Sequence, residues 1–191
     1  MIYSTSTMMV VDGFQELKNI VEKEKKSGKK IVLTQGSFDL VHIGHARYLQ
    51  KAKEHGDFLV VGIDADSKIK LRKGPDRPVV PQDERMEMLT HIKHVDLVIL
   101  KDVNMPRWEL IKVLKPNVLI AVEGTYVQDE IDELQKYCGQ VTVLERQATT
   151  STSAKIRHLQ IGLADKLSSA LTPKIIETIE GVFSEIKNGK K

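Results

Sequence analysis

The chain has 191 residues, 41% of them hydrophobic and 29% charged, with a net charge of +3, values that fit one globular domain with terminal additions. They leave neither the strong basic excess of a dedicated nucleic-acid surface nor an apolar run approaching the roughly 20 residues a bilayer span needs. The single cysteine, Cys138, excludes an internal disulfide and a cysteine-built zinc site, and with the short polar start at residues 1–10 it leads to an expected cytoplasmic location.

Asp12 is placed to cap a first helix reaching about Lys26, with Phe14, Leu17, Ile20 and Val21 on one face. Ser27-Gly28-Lys29-Lys30 ends it, and Ile31-Val32-Leu33 reads as a buried strand. A glycine-bearing segment, residues 36–45, then leads into a helix over residues 46–52. Residues 58–63 form a second buried run, followed by a long polar loop, 64–81, rich in Lys, Arg, Gly and Pro. A helix is predicted over 82–92, with Met86, Leu89 and Ile92 inward. Strands at 97–100, 118–122 and 141–144 alternate with helices near 107–114 and 128–137. This alternation predicts an α/β fold, a parallel sheet of about five strands with helices on both faces. A helix near 153–163 and an apolar-periodic stretch after Pro173 form a C-terminal helical extension. The expected divisions are an N-terminal helix (1–28), the main domain (29–160) and the extension (161–191).

Residues 36–45 read Gly-Ser-Phe-Asp-Leu-Val-His-Ile-Gly-His. A turn between strand and helix is where an α/β fold brings phosphates against free backbone N–H groups. His42 and His45, three apart, project from one face of the helix start, and Gly44 lets a ligand lie close to the backbone. A second cluster, Lys70, Arg72, Lys73 and Arg77, with Arg85 on the next helix, supplies the cations that phosphoryl transfer requires. The competing reading is a solvated basic loop. A third cluster, Arg146 followed by Thr149-Thr150-Ser151-Thr152-Ser153, opens a helix with hydroxyls that either cap it or hold a phosphate.

With these residues in hand the chain resembles the cytidylyltransferase-like nucleotidyltransferases. Gly36-x-Phe38-Asp39-x-x-His42-x-Gly44-His45 matches their H-x-G-H signature. Arg146 with Ser151-Thr152-Ser153 resembles their R-T-x-G-I-S-T-S signature, with Gln147 and Thr149 departing from it. Lys73-Gly74-Pro75-x-Arg77-Pro78 with Glu84-Arg85-Met86 looks most like the adenylyltransferase module of bacterial ADP-heptose synthase.

The resemblance implies a Rossmann-like enzyme that joins a nucleoside triphosphate to a phosphorylated small-molecule acceptor and releases pyrophosphate. It casts His42, His45 and Lys73 as catalytic, in contact with the triphosphate. Gly36, Phe38, Gly44, Arg85, Arg146, Ser151, Thr152 and Ser153 would bind the nucleotide. Asp39, Glu123 and Tyr126 would face the acceptor, with Asp39 also a candidate ligand for an expected Mg²⁺. A homodimer is expected, and neither nucleic acid nor membrane is an expected partner. Ala121-Val122-Glu123-Gly124-Thr125-Tyr126 stands where the heptose enzymes carry a K-G-G-D-Y type segment, which keeps a CTP-dependent enzyme acting on glycerol phosphate or another polyol or alkanolamine phosphate open as an alternative. His42-Ile43-Gly44-His45 also spells the signature of class I aminoacyl-tRNA synthetases, but a chain of this length is not expected to hold a tRNA-binding domain, and residues 151–155 read Ser-Thr-Ser-Ala-Lys rather than K-M-S-K-S. A non-catalytic nucleotide-binding module is the remaining alternative.

Overall fold

A computed structural model describes residues 9–11, 13–145, 147 and 152–188. The chain divides into two compact units, residues 1–149 and 150–191. The first holds strands β1 (Met9–Val11), β2 (Ile31–Gly36), β3 (Phe58–Asp64), β4 (Leu97–Lys101), β5 (Val118–Val122) and β6 (Gln140–Leu144). Its helices are α1 (Phe14–Lys26), α2 (Ile43–Lys53), α3 (Asp66–Lys73), α4 (Gln82–Thr90), α5 (Glu109–Leu114) and α6 (Gln128–Leu134).

All strands run parallel in the order β1-β4-β3-β2-β5-β6. Successive strands go outward from β2 to β3 and β4 on one side, while β5 and β6 occupy the other. The point of reversal therefore lies between β2 and β5, and open α/β sheets bind ligands at the carboxyl ends of the strands flanking such a point.

Side-chain alternation along the strands builds two cores. Ile31, Leu33, Val60, Leu97, Ile99 and Leu119 face Leu17 and Val21 of α1, Leu110, Ile111 and Leu114 of α5 and Leu134 of α6. Val32, Leu59, Val61, Ile63, Val98, Val118 and Ile120 face Tyr48, Leu49 and Ala52 of α2 and Leu89 of α4. The period of two in a strand assigns alternate residues to opposite layers, so both faces are covered.

Four expectations change in detail. The sheet has six strands among the described residues, because Val10 pairs with Val98 and its neighbours follow; three residues are too short to carry a periodic signal. The N-cap of α1 is Gly13, with no side-chain cap bond, while Asp12 lies outside the described residues. The polar segment after β3 contains α3, which buries only Ile69 and so shows no stripe. Its N-terminus is tied to that of α4 by reciprocal bonds: Asp66 N–H donates to Gln82 Oε1 (3.0 Å) and Gln82 N–H to Asp66 Oδ2 (3.2 Å).

In the second unit, α7 (Thr152–Asn188) is one helix that runs through Pro173, where two pieces were expected. Proline there removes one N–H donor and crowds the carbonyl one turn back, yet the apolar spacing continues on both sides of it. Leu159, Leu163, Leu167, Leu171, Ile175 and Ile179 are exposed along this helix.

Candidate active site

The segment leaving β2 is shaped by its own sequence. Phe38 and Leu40 both adopt positive φ, 47° and 51°, a conformation uncommon for side chains of this size. A Cβ on Gly36 would sit 3.0 Å from the Phe38 ring, so the glycine lets that ring fold back over the strand end. Phe38 is buried there, with its ring centroid 5.6 Å from that of His45.

His42 is the N-cap of α2, and the two histidines form its capping box. His42 Nδ1 accepts from Gly44 N–H (3.0 Å), and His45 Nδ1 accepts from His42 N–H (3.3 Å). The ring centroids are 4.2 Å apart. A neutral imidazole accepting at Nδ1 carries its proton on Nε2, so backbone hydrogen bonding sets both rings as Nε2–H donors. Two such donors beside a helix N-terminus favour an anion.

Lys73 ends α3 and donates from Nζ to Ser37 Oγ (2.9 Å), which brings the basic segment to the strand-to-helix turn. Burial of the ammonium, then the neighbouring Arg72 and Arg77, pull its pKa below the usual lysine value. An ammonium so placed gains from any anion that joins it.

Asp39 and Arg85 have roles the sequence did not disclose. The Asp39 carboxylate is buried and accepts from Arg77 Nε (2.8 Å) and from the N–H groups of Val79 and Val80 (each 3.1 Å). Burial pushes its pKa up, but these donors prevail and hold it below the usual carboxylate range. Asp39, expected to face the acceptor or a metal, thus fastens the 77–80 loop to the turn.

Arg85 is 1% exposed and donates to protein acceptors throughout: Nε to Val80 O (2.9 Å), Nη1 to Ser37 O (2.5 Å), and Nη2 to Asp64 O (3.0 Å) and Asp66 Oδ1 (2.6 Å). These bonds staple the ends of β2 and β3 to α3 and to the loop before α4. A planar fork of donors suits this role, which a lysine would not fill.

Asp64 and Lys101, which sequence reasoning missed, end neighbouring strands and are register partners. Asp64 is buried, accepts from Arg72 Nη2 (2.9 Å), and its other oxygen lies 2.9 Å from Lys101 Nζ in an ion pair without hydrogen-bond alignment. Burial lowers the Lys101 pKa, and Asp64 opposes that shift. The available signal was two apolar runs each closing on a charge of opposite sign.

Glu123 is exposed just beyond β5, its N–H donating to Leu144 O (3.0 Å), and Gly124 turns the chain with φ 79°. Tyr126 packs against the α1–α5–α6 core, whereas Phe38 belongs to the α2–α4 core; the sheet edge separates the two. Arg146 and Ser151 lie outside the described residues, as do the side chains of Thr152 and Ser153. Among the described residues, no group of three His, Cys, Asp or Glu side chains stands ready to hold a metal.

The model of the cytidylyltransferase-like family matches residues 33–177, most of the chain and all of the segments just described. The chain belongs to that family. Bifunctional protein HldE of a Nitratiruptor species is 37% identical over 158 residues, which cover 82% of this chain and 34% of the relative. The HldE of Geobacter metallireducens is 40% identical over 152 residues, 76% of this chain and 31% of the relative. The chain therefore spans about a third of the length of these relatives. Among solved structures, the lipopolysaccharide core biosynthesis protein from Thermoplasma volcanium superposes with a TM-score of 0.52 at 25% identity, covering 62% of this chain and 96% of that one. Pantoate-beta-alanine ligase from Francisella tularensis shares the fold, with a TM-score of 0.57 at 18% identity over 76% of this chain and 69% of its own. This cytidylyltransferase-like domain is of nucleotidyltransferase type, and no helix among its described residues is long and apolar enough to cross a membrane.

Proposed function

We propose that the domain transfers a nucleoside monophosphate, from ATP in preference to other triphosphates, to a sugar phosphate of the heptose 1-phosphate type and releases pyrophosphate. The observation that carries this reading is the His42–His45 capping box beside Lys73. The two imidazoles at the start of α2 and an ammonium bonded to Ser37 in the same strand-to-helix turn suit the charge that builds on a departing pyrophosphate. The resemblance to ADP-heptose synthase modules supports the choice of base and acceptor.

An oxygen of the acceptor's phosphate attacks the α-phosphorus, and the bond from that phosphorus to the bridging β-oxygen breaks, its electron pair leaving with pyrophosphate. A phosphate monoester is already nucleophilic at neutral pH, so positioning and charge neutralisation suffice without a strong general base. Lys73 neutralises charge at the α-phosphate, and His42 and His45 donate to the leaving group. Arg146 and the hydroxyls of Ser151, Thr152 and Ser153 are proposed for the β- and γ-phosphates. Asp39 and Arg85 position the loop rather than touch substrate.

Nothing in the described donor set forms a cage for the expected Mg²⁺, and the Asp39 carboxylate is already engaged. A divalent ion of this kind takes most of its ligands from phosphate oxygens and water, and no residue of this chain is assigned to it. Self-association through the apolar stripe of α7 is likewise proposed, with light scattering as its measure.

The deciding experiment measures pyrophosphate release for four nucleoside triphosphates against sugar and polyol phosphates. Release is expected to be fastest with ATP and a sugar 1-phosphate. Release confined to CTP and glycerol phosphate would select the cytidylyltransferase alternative. No release with any pair, despite triphosphate binding, would mean a non-catalytic module. With the best pair, His45→Ala is expected to lower kcat by at least ~100-fold, as for a lost contact to developing charge.

A further inference from the structure

The α1–α5 layer carries a groove that plays no part in the proposed transfer. Helix α1 leads into β2 and α5 into β5, and the two helices pack together over the sheet face opposite α2 and α4. Between them lies a concavity of about 490 Å³. Its floor is apolar, with Val21 buried and Phe14 and Val113 half-buried. Lysines rim it on both sides: Lys18 and Lys25 of α1, and Lys112 and Lys115 at the end of α5. Lys25 latches the two helices, donating from Nζ to the carbonyls of Leu114 and Lys115 (each 2.7 Å).

Four ammonium groups here face a single carboxylate, that of Glu22, a local excess of +3. The net charge of the whole chain is also +3, so the rest of the chain is neutral on balance. Glu22 lies 3.9 Å from Lys18, and both side chains are half-exposed. A solvent-exposed pair of this kind is weak, which leaves Lys18 open to a better anion. Burial lowers the Lys25 pKa; Glu22 opposes that shift and Lys115 adds to it. Lys112 Nζ lies 5.0 Å from the centroid of the Tyr137 ring, and Glu133 of α6, which it also feels, is paired with Lys136. Among the described residues, neither Lys112 nor Lys115 makes a hydrogen bond or ion pair from its side chain.

Spacing decides what such a groove can hold. At a rise of ~1.5 Å per residue, Lys18 and Lys25 stand ~10 Å apart along α1, and Lys112 and Lys115 ~4.5 Å apart along α5. A small anion would meet one end of one row and leave the apolar floor in water. A helix with an apolar stripe and carboxylates along both edges covers the floor and meets both rows at once. We propose that the α1–α5 groove docks an acidic amphipathic helical segment of a partner protein. The groove and the α2 histidines belong to opposite faces of the sheet, so a docked segment leaves the strand-to-helix turn open. The inference is independent of the transferase reading.

The test follows the anisotropy of a fluorescein-labelled helical peptide titrated with the full chain. The peptide carries leucines at i, i+3, i+4 and i+7 with glutamates beside them. Saturable binding is expected, with a dissociation constant on the order of 10–100 μM that weakens several-fold as salt rises from ~50 to ~300 mM. Reversing the two unbonded lysines together, Lys112→Glu with Lys115→Glu, should weaken it by about tenfold or more. The same pair of changes should create affinity for a peptide with lysines in place of the glutamates. On the other wall, Lys18→Glu should weaken binding of the acidic peptide by about threefold or more. These lysines are half-buried or exposed, so the circular dichroism of both variants should match the parent. Peptide binding that survives both reversals lies elsewhere, the apolar stripe of α7 included, and overturns the proposal. So does the absence of saturable binding, or equal binding of a control peptide with serines in place of the leucines. Tighter binding of a short oligothymidylate would make the groove a nucleic-acid surface instead. The control peptide and the oligonucleotide are read on the parent chain and need no variant.

Discussion

Replacing Arg85 with methionine tests whether its guanidinium is a structural staple or a nucleotide contact. The side chain is 1% exposed and makes four hydrogen bonds, one of them an ion pair with Asp66. Methionine preserves much of the stem's packing and removes every donor. The carbonyls of Ser37, Val80 and Asp64 then lose a partner in a region from which water is largely excluded, while Asp66, whose side chain is 30% exposed, can turn to solvent. Breaking a buried charged network of this kind costs ~3–5 kcal/mol, a large share of the ~5–15 kcal/mol that holds a typical domain together. With an m-value of ~2 kcal/mol per M in urea, the midpoint should fall by ~1.5–2.5 M. Unfolding followed by Trp108 emission and far-ultraviolet circular dichroism measures it. Arg85→Lys keeps the charge but not the fork, and should recover less than half of the loss. A shift of less than ~0.5 M together with a large loss of ATP affinity would refute the staple and return Arg85 to the nucleotide.

The donors around Asp39 depress its pKa in the folded chain, so its contribution to stability is complete above the unfolded value of ~3.9 and is lost as pH falls through the lower folded one. Asp39→Asn should therefore be less stable than the parent at pH 7, and the gap should narrow towards pH 3 in denaturant titrations; parallel pH profiles would contradict this. Lys73 has a pKa below its ordinary 10.5, so triphosphate affinity should fall as pH rises through that lowered value. Lys73→Arg should remove this alkaline limb in calorimetry between pH 7 and 10, and an unchanged limb would assign it to another group. Gly62→Ala forces a Cβ against Leu110 and should cost ~1–3 kcal/mol, seen as a melting temperature several degrees lower; unaltered melting would mean that the Leu110 side chain yields.

Much of the fold was legible because buried parallel strands are short apolar runs and the helices between them carry stripes. The residue types at 36–45 announced the strand-to-helix turn for a similar reason, since glycine, histidine and their spacing act locally. Strand β1 was hidden because three residues acquire meaning only by pairing with β4. Helix α3 was hidden because Ile69 alone is buried, and its ends are secured by Gln82 from the next helix rather than by its own pattern. Lys73 stood out in the sequence only as one cation of the segment after β3, and its bond to Ser37 could not be read from residues 36 positions apart.

The amino-acid sequence by itself determined the alternation of strands and helices, the capping histidines at the start of α2 and the supply of cations after β3. Those properties depend on neighbours within a turn or a strand, and periodicity and spacing record them. The tertiary structure decided which charges are spent on the protein. Asp39 and Arg85 look like site residues in a linear reading, and both turn out to be buried among partners as far as 48 positions away. It also decided that Asp64 and Lys101, ending different strands, meet as an ion pair at the sheet edge. Burial and pairing across such separations arise only when strands distant in sequence lie side by side.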